Sequence, residues 1–92
     1  MPRVTEMMKE GKHWAWLFDC PACGSQHFAD DRWKFNGDIE HPTFTPSIRV
    51  SHRSPEGKEH VCHFHVTNGA IAYCIDCTHE MSGKTVPLPE VS

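Results

Sequence analysis

Val61-Cys62-His63-Phe64-His65-Val66-Thr67-Asn68-Gly69-Ala70-Ile71-Ala72-Tyr73-Cys74-Ile75 reads as a β-hairpin. Two runs rich in β-branched and aromatic residues flank Asn68-Gly69, the pair best suited to the positive φ angles of a type I′ turn. With those two residues as the turn, Val66 faces Ile71, Phe64 faces Tyr73 and Cys62 faces Ile75. The pairs share one sheet face and are mostly apolar, so that face is core. The opposite face carries His65 with Ala72, His63 with Cys74, and Val61 with Asp76. Cys77 lies one diagonal step further on, on the side of Cys62.

Upstream, residues 13–18 read as a strand that runs into Cys20-Pro21-Ala22-Cys23-Gly24. A Cys-x-x-Cys-Gly turn brings two sulfurs to one side of a tight loop, which is half of a tetrahedral zinc site. Two completions stand open. Cys74 and Cys77 form a second Cys-x-x-Cys and would close a zinc ribbon by spacing alone. The hairpin geometry favours Cys20, Cys23, Cys62 and Cys77, because the last two sulfurs emerge on one face. A histidine, His63 or His79, could replace one thiolate. One zinc per chain is expected, since thiolate-rich tetrahedral sites select it. Cys74, in an apolar strand, reads as a small buried hydrophobe.

Residues 28–35 read as a strand and Asn36-Gly37 as a type I′ turn. Residues 41–46 hold two prolines and are expected to be extended but not a central strand. Residues 47–52 alternate as a strand, and 54–57 form a surface turn. One helical turn is expected over 78–82, ended by Gly83, then an extended tail. Residues 1–11 read as a strand or short helix ending in the Glu10-Gly11 turn, with Met7 and Met8 mobile. Trp14, Trp16 and Trp33 read as core and rim packing. The expected fold is a small β-rich zinc-binding domain, with antiparallel hairpins, a zinc knuckle and little helix. It spans 1–92, with 1–11 and 89–92 as tails.

A chain of 92 residues is one domain with a thin core, and such scaffolds often need a metal as a staple. Five cysteines and eight histidines are a heavy load for that length. The odd cysteine count and the lack of an apolar N-terminal run point to reduced thiols in the cytoplasm. No apolar stretch approaches the ~18 residues of a membrane span. The net charge of −3, without a basic cluster, argues against a phosphate-backbone binder. A protein partner is therefore expected ahead of nucleic acid.

Several blocks carry a resemblance: Trp33-Lys-Phe-Asn-Gly-Asp38, Pro42-Thr-Phe-Thr-Pro-Ser47, Val61-Cys-His-Phe, Asp76-Cys-Thr-His79 and Gly83-Lys-Thr-Val-Pro-Leu88. In that order they resemble a family of small phage and prophage proteins of unknown function, often labelled "ammonia monooxygenase". That label implies a membrane copper enzyme, for which this sequence has no membrane segment. The resemblance implies that the Cys20–Cys23 turn, His27, the Cys62-His63 pair and the Asp76-Cys77-x-His79 block are the recurring elements. It also implies an apolar residue at position 74 and a setting in the bacterial host cytoplasm. Distantly similar domains sit beside ubiquitin-like conjugation genes in bacteria.

His63, Asp76 and His79, with His41 nearby, could form a polar cluster in which an aspartate orients a histidine base. Cys62 and His63 are adjacent on a strand, point to opposite faces and cannot act together. The simpler reading gives His63 and His79 the task of steadying zinc thiolates or backbone carbonyls. The expectation is thus a non-catalytic accessory protein that binds a host or phage macromolecule, such as an inhibitor of a defence system. The alternative is a small metal-dependent hydrolase or nucleic-acid-processing protein using His63, Asp76 and His79.

Overall fold

In the computed structural model, which describes residues 1–91, the strands run β1 (Thr5–Lys9), β2 (Lys12–Asp19), β3 (Gln26–Asp30), β4 (Lys34–Phe35), β5 (Phe44–Arg53), β6 (Glu59–Thr67), β7 (Ala70–Tyr73) and β8 (Thr85–Pro87). They form a three-stranded sheet, β1-β2-β3, and a five-stranded sheet, β4-β5-β6-β7-β8. All neighbouring strands are antiparallel, and no helix forms among the described residues. The fold is thus the expected β-rich one.

The hairpin at the heart of the larger sheet closes as its sequence dictates. Asn68 has φ 49° and Gly69 82°, and Val66 pairs with Ile71 and Phe64 with Tyr73. Only glycine fits at 69. Besides the positive φ, an added Cβ would stand 3.2 Å from the His41 Cα and 3.4 Å from the Glu40 carbonyl oxygen. That close approach fastens the loop ahead of β5 to the turn: Gly69 N–H donates to the Pro42 carbonyl at 2.9 Å, and Asn68 N–H donates to Thr43 Oγ1 at 2.8 Å.

The two sheets meet through aromatic rings. Phe18 of β2 stacks on Phe44 of β5 and meets Phe64 of β6 edge-on, with both centroids 5.9 Å away. Phe64 is fully buried, so Phe64→Ala is expected to cost about 3–5 kcal/mol through lost transfer energy and the cavity left behind.

Several expectations need correction. The Asn36-Gly37 pair is not a two-residue turn: only Gly37 has positive φ. Asn36 Oδ1 instead accepts from the Asp38 and Thr43 amides, both at 3.1 Å, and shapes a wider loop. The strand expected over 28–35 breaks after Asp30, where Asp30 Oδ1 accepts the Arg32 amide at 3.0 Å. Residues 44–46, expected outside any central strand, lie in β5, an inner strand of its sheet. The proline is tolerated because the ladder is irregular there: Phe44 pairs with Val66 and the next pair is Ile48 with Phe64, which leaves Pro46 with no donor to supply. Residues 78–82 form turns, not a helix. Ile75 is 88% exposed and does not face Cys62 in the core, because β7 ends at Tyr73. Within segment 1–11, Val4 is buried and Met7 sits in β1, paired with Ala15.

Candidate active site and metal centre

Cys20, Cys23, His27 and Cys62 bring donor atoms within 4.8 Å of one another, close enough to hold one metal ion. Cys20 and Cys23 come from the β2–β3 turn, closed by the Gly24 amide donating to the Cys20 carbonyl at 3.1 Å. His27 comes from β3 and Cys62 from β6. The group therefore ties the small sheet to the large one. Cys20 Sγ lies 3.8 Å from Cys62 Sγ, which matches the edge of a tetrahedron of Zn–S bonds about 2.3 Å long.

The thiols of the group are not electrostatically equivalent. Cys20 is held well below the ordinary thiol range, first by the thiol of Cys62 and then by His27 and Tyr73, against desolvation. Once Cys20 carries the charge, Cys62 is pushed up, first because it donates to that sulfur and then by burial. Burial likewise pushes Cys23 up. The protein alone favours a thiolate on Cys20 and disfavours a second one on Cys62 or Cys23. The Tyr73 hydroxyl takes the Ala22 amide at 3.3 Å and donates to Cys20 Sγ at 3.2 Å. Burial, with that donated bond, raises its own pKa.

The two histidines beside the thiols differ. His27 is 6% exposed and its Nε2 has no hydrogen-bond partner among the described residues. A buried ring nitrogen rarely goes unpaired, and a metal bond would satisfy it. The Met81 amide donates to His79 Nδ1 at 3.2 Å. That leaves the neutral ring's proton on Nε2, which faces Cys62 Sγ at 3.4 Å as a donor to the sulfur. The sulfurs expected together at Cys20, Cys23 and Cys62 do converge. Cys77, near enough to act on Cys23, is not one of those four donors; its Sγ donates to the His63 carbonyl at 3.1 Å and accepts the His63 amide at 3.3 Å. Cys74 lies instead with His63 and Asp76, so the two Cys-x-x-Cys pairs do not form one cluster.

On the other face of β6 a second constellation appears. Ser47 Oγ lies 3.0 Å from His63 Nε2. Both oxygens of Asp76 lie 3.1 Å from His63 Nδ1. The carboxylate fixes the ring proton on Nδ1 and leaves Nε2 to accept from the serine hydroxyl. Ser47 emerges from the irregular stretch of β5, a place where strands re-aim side chains. Trp33 Nε1 donates to the Ser47 carbonyl at 3.2 Å and holds that backbone in place. Ser47 and His63 are half-buried and Asp76 is exposed.

Of the expected polar cluster His63, Asp76 and His79, the first two are neighbours, His79 lies instead against Cys62, and Ser47, which the sequence reading leaves out, stands beside His63. The sequence carries part of the signal for Ser47. If the 54–57 turn folds β5 onto β6, Arg49 pairs with His63, and Ser47 lies two residues along on the same face. His41 is bonded locally instead, its amide donating to Asp38 Oδ1 at 3.1 Å.

Residues 2–74 match the family model of BubE, described as a bacterial ubiquitination-like system serine protease. No curated protein and no solved structure matches the chain. No helix among the described residues is long and apolar enough to cross a membrane.

Proposed function

The chain belongs to the BubE family, and from that premise we propose that it is a serine protease with Ser47, His63 and Asp76 as its triad. The observation that carries this is the unbroken line Ser47 Oγ–His63 Nε2, 3.0 Å, and His63 Nδ1–Asp76, 3.1 Å. Such a triad is recognised by geometry and roles, whatever the fold. The substrate is a polypeptide of a bacterial ubiquitination-like system, so the protein partner expected from sequence becomes the substrate. Reduced thiols suit the cytosol as the working compartment.

Ser47 Oγ attacks the scissile carbonyl carbon as its proton passes to His63 Nε2. Asp76 stabilises the imidazolium through the Nδ1 hydrogen bond. Collapse of the tetrahedral intermediate breaks the C–N bond, and His63 returns the proton to the leaving amine. Ser47 is left acylated. Water, deprotonated by the same nitrogen, then hydrolyses the ester and frees the enzyme.

The metal centre has a separate task. Cys20, Cys23, Cys62 and His27 would hold zinc, and four protein donors leave no open position, as in structural sites. Bound there, the ion supplies a cross-link between the sheets. It fixes Cys62 and, through the next peptide, the ring of His63. His79 acts as the hydrogen-bond donor to Cys62, a support common around ligating groups. The alternative expected from sequence, a metal-dependent hydrolase, keeps its His63 and Asp76 here but takes a serine as nucleophile. The non-catalytic expectation had His63 and His79 steadying thiolates or backbone carbonyls; His79 does lie against Cys62, whereas the ring of His63 lies between Ser47 and Asp76.

The test is intact-mass analysis of proteins from the same ubiquitination-like system after incubation with the chain. Cleavage at a discrete bond that stops in Ser47→Ala supports the proposal. Undiminished cleavage in that variant removes it.

A further inference from the structure

Cys74 and Cys77 are the two thiols outside the four-donor metal group and the triad, and of these Cys74 lies beside the His63 and Asp76 side chains. It sits on β6's neighbouring strand edge, where its amide donates to the His63 carbonyl at 2.8 Å. Its Sγ, a ring nitrogen of His63 and a carboxylate oxygen of Asp76 all lie within 4.8 Å of one another. Sulfur, imidazole and carboxylate are three ligand types that together suit a thiophilic divalent cation of the zinc class. Asp76 is exposed and Cys74 and His63 are half-buried, so a cation can reach the group from solvent and keep a water as its fourth ligand. Burial and the Asp76 carboxylate both hold the Cys74 thiol protonated, and a bound cation would displace that proton.

We propose that Cys74, His63 and Asp76 form a second, reversible cation site that switches the triad off. The proposal rests on the serine-protease reading of the same histidine. The His63 nitrogen on the side of Asp76 is Nδ1. A cation bonded there takes the lone pair that the carboxylate leaves protonated in the active state. The ring's proton moves to Nε2, and the Cys74 S–H proton leaves to solvent. Nε2–H then donates to Ser47 Oγ and can no longer accept its proton. No bond to Ser47 is needed for inhibition, because the tautomer alone disables the base. Three donors and a water bind more weakly than the four-donor centre, so the site fills after that centre and empties before it.

The experiment uses the zinc-loaded protein and its Cys74→Ala variant, titrated with zinc for activity and with cadmium for near-ultraviolet thiolate-to-metal absorption. The expected result is a further cation bound by the wild type and not by Cys74→Ala. Peptidase activity should fall at least tenfold with added zinc in the wild type alone, and return on dilution. Equal cation uptake by both proteins, or equal inhibition of both, overturns the proposal. A further cation that binds through Cys74 while cleavage continues unchanged also overturns it. The absorption reading does not depend on proteolysis. A Cys74-dependent cation on a protein without protease activity therefore removes the protease reading, and with it the switch.

Discussion

Cys62 and His63 are consecutive residues of β6 that serve opposite faces of one sheet: Cys62 Sγ lies 3.8 Å from Cys20 Sγ, and His63 Nε2 lies 3.0 Å from Ser47 Oγ. Strand alternation places them so. A metal held by Cys62 therefore anchors the peptide that aims His63, and Cys77, bonded to both backbone groups of His63, braces it from the neighbouring loop. The metal-binding group and the proposed triad share one strand without sharing a side chain.

Triad substitutions should separate chemistry from folding. Ser47→Ala and His63→Ala are expected to abolish turnover. Asp76→Asn should lower kcat by about ten-thousand-fold, because the wrong tautomer is held. Circular dichroism of Ser47→Ala and Asp76→Asn should match the wild type, since Ser47 is half-buried and Asp76 exposed. Cleavage that survives in Asp76→Asn at near wild-type rates would contradict the assignment.

The metal centre makes a prediction about two histidines. His27→Ala should lose zinc and lower the denaturation midpoint, because a ligand is gone and metal binding is coupled to folding. His79→Ala should keep about one zinc per chain, having removed only a donor to Cys62. Metal analysis that finds the reverse pattern exchanges the roles of His27 and His79.

Cys77→Ala should retain its zinc and lose stability by about 1–3 kcal/mol, the cost of leaving the half-buried His63 amide without its sulfur acceptor; the His63 carbonyl keeps the Cys74 amide. If the zinc is lost instead, Cys77 is a ligand and the sulfur-only set is restored. Metal content and urea denaturation on the same sample decide it.

The loop before β5 carries a pH dependence. Asp38 is held below the usual carboxylate range, first by the His41 amide and then by the Glu40 amide. A carboxyl depressed in the folded state stabilises above its unfolded pKa, near 4, and that contribution is lost as pH falls through the depressed value. Asp38→Ala should therefore melt below the wild type at neutral pH and approach it on acidification. A gap between the two melting temperatures that stays constant down to strongly acidic pH would contradict this.

Much of this was legible in the residues. Asn68-Gly69 set the hairpin, and Cys20-Pro-Ala-Cys23-Gly24 marked half of the metal centre, because both rest on local backbone chemistry. His27 enters the sequence reading through resemblance alone; its place among the donors with Cys20, Cys23 and Cys62, and its Nε2 unpaired among the described residues, come from tertiary packing that no spacing reveals. Ile75 went astray because alternation was extended past Tyr73, where β7 stops. Ser47 stayed hidden for a different reason. Serine is common, Pro46 argues against a central strand, and the irregular ladder between Phe44 and Ile48 that admits both depends on tertiary pairing.

The central claim is that Ser47 is a nucleophile activated by His63. Its most direct test is reaction of the purified protein with a fluorophosphonate, followed by peptide mass mapping. The account predicts one phosphonyl adduct on Ser47, absent from His63→Ala and after unfolding. No adduct at Ser47 in the folded, zinc-loaded protein would contradict it, as would equal labelling of His63→Ala.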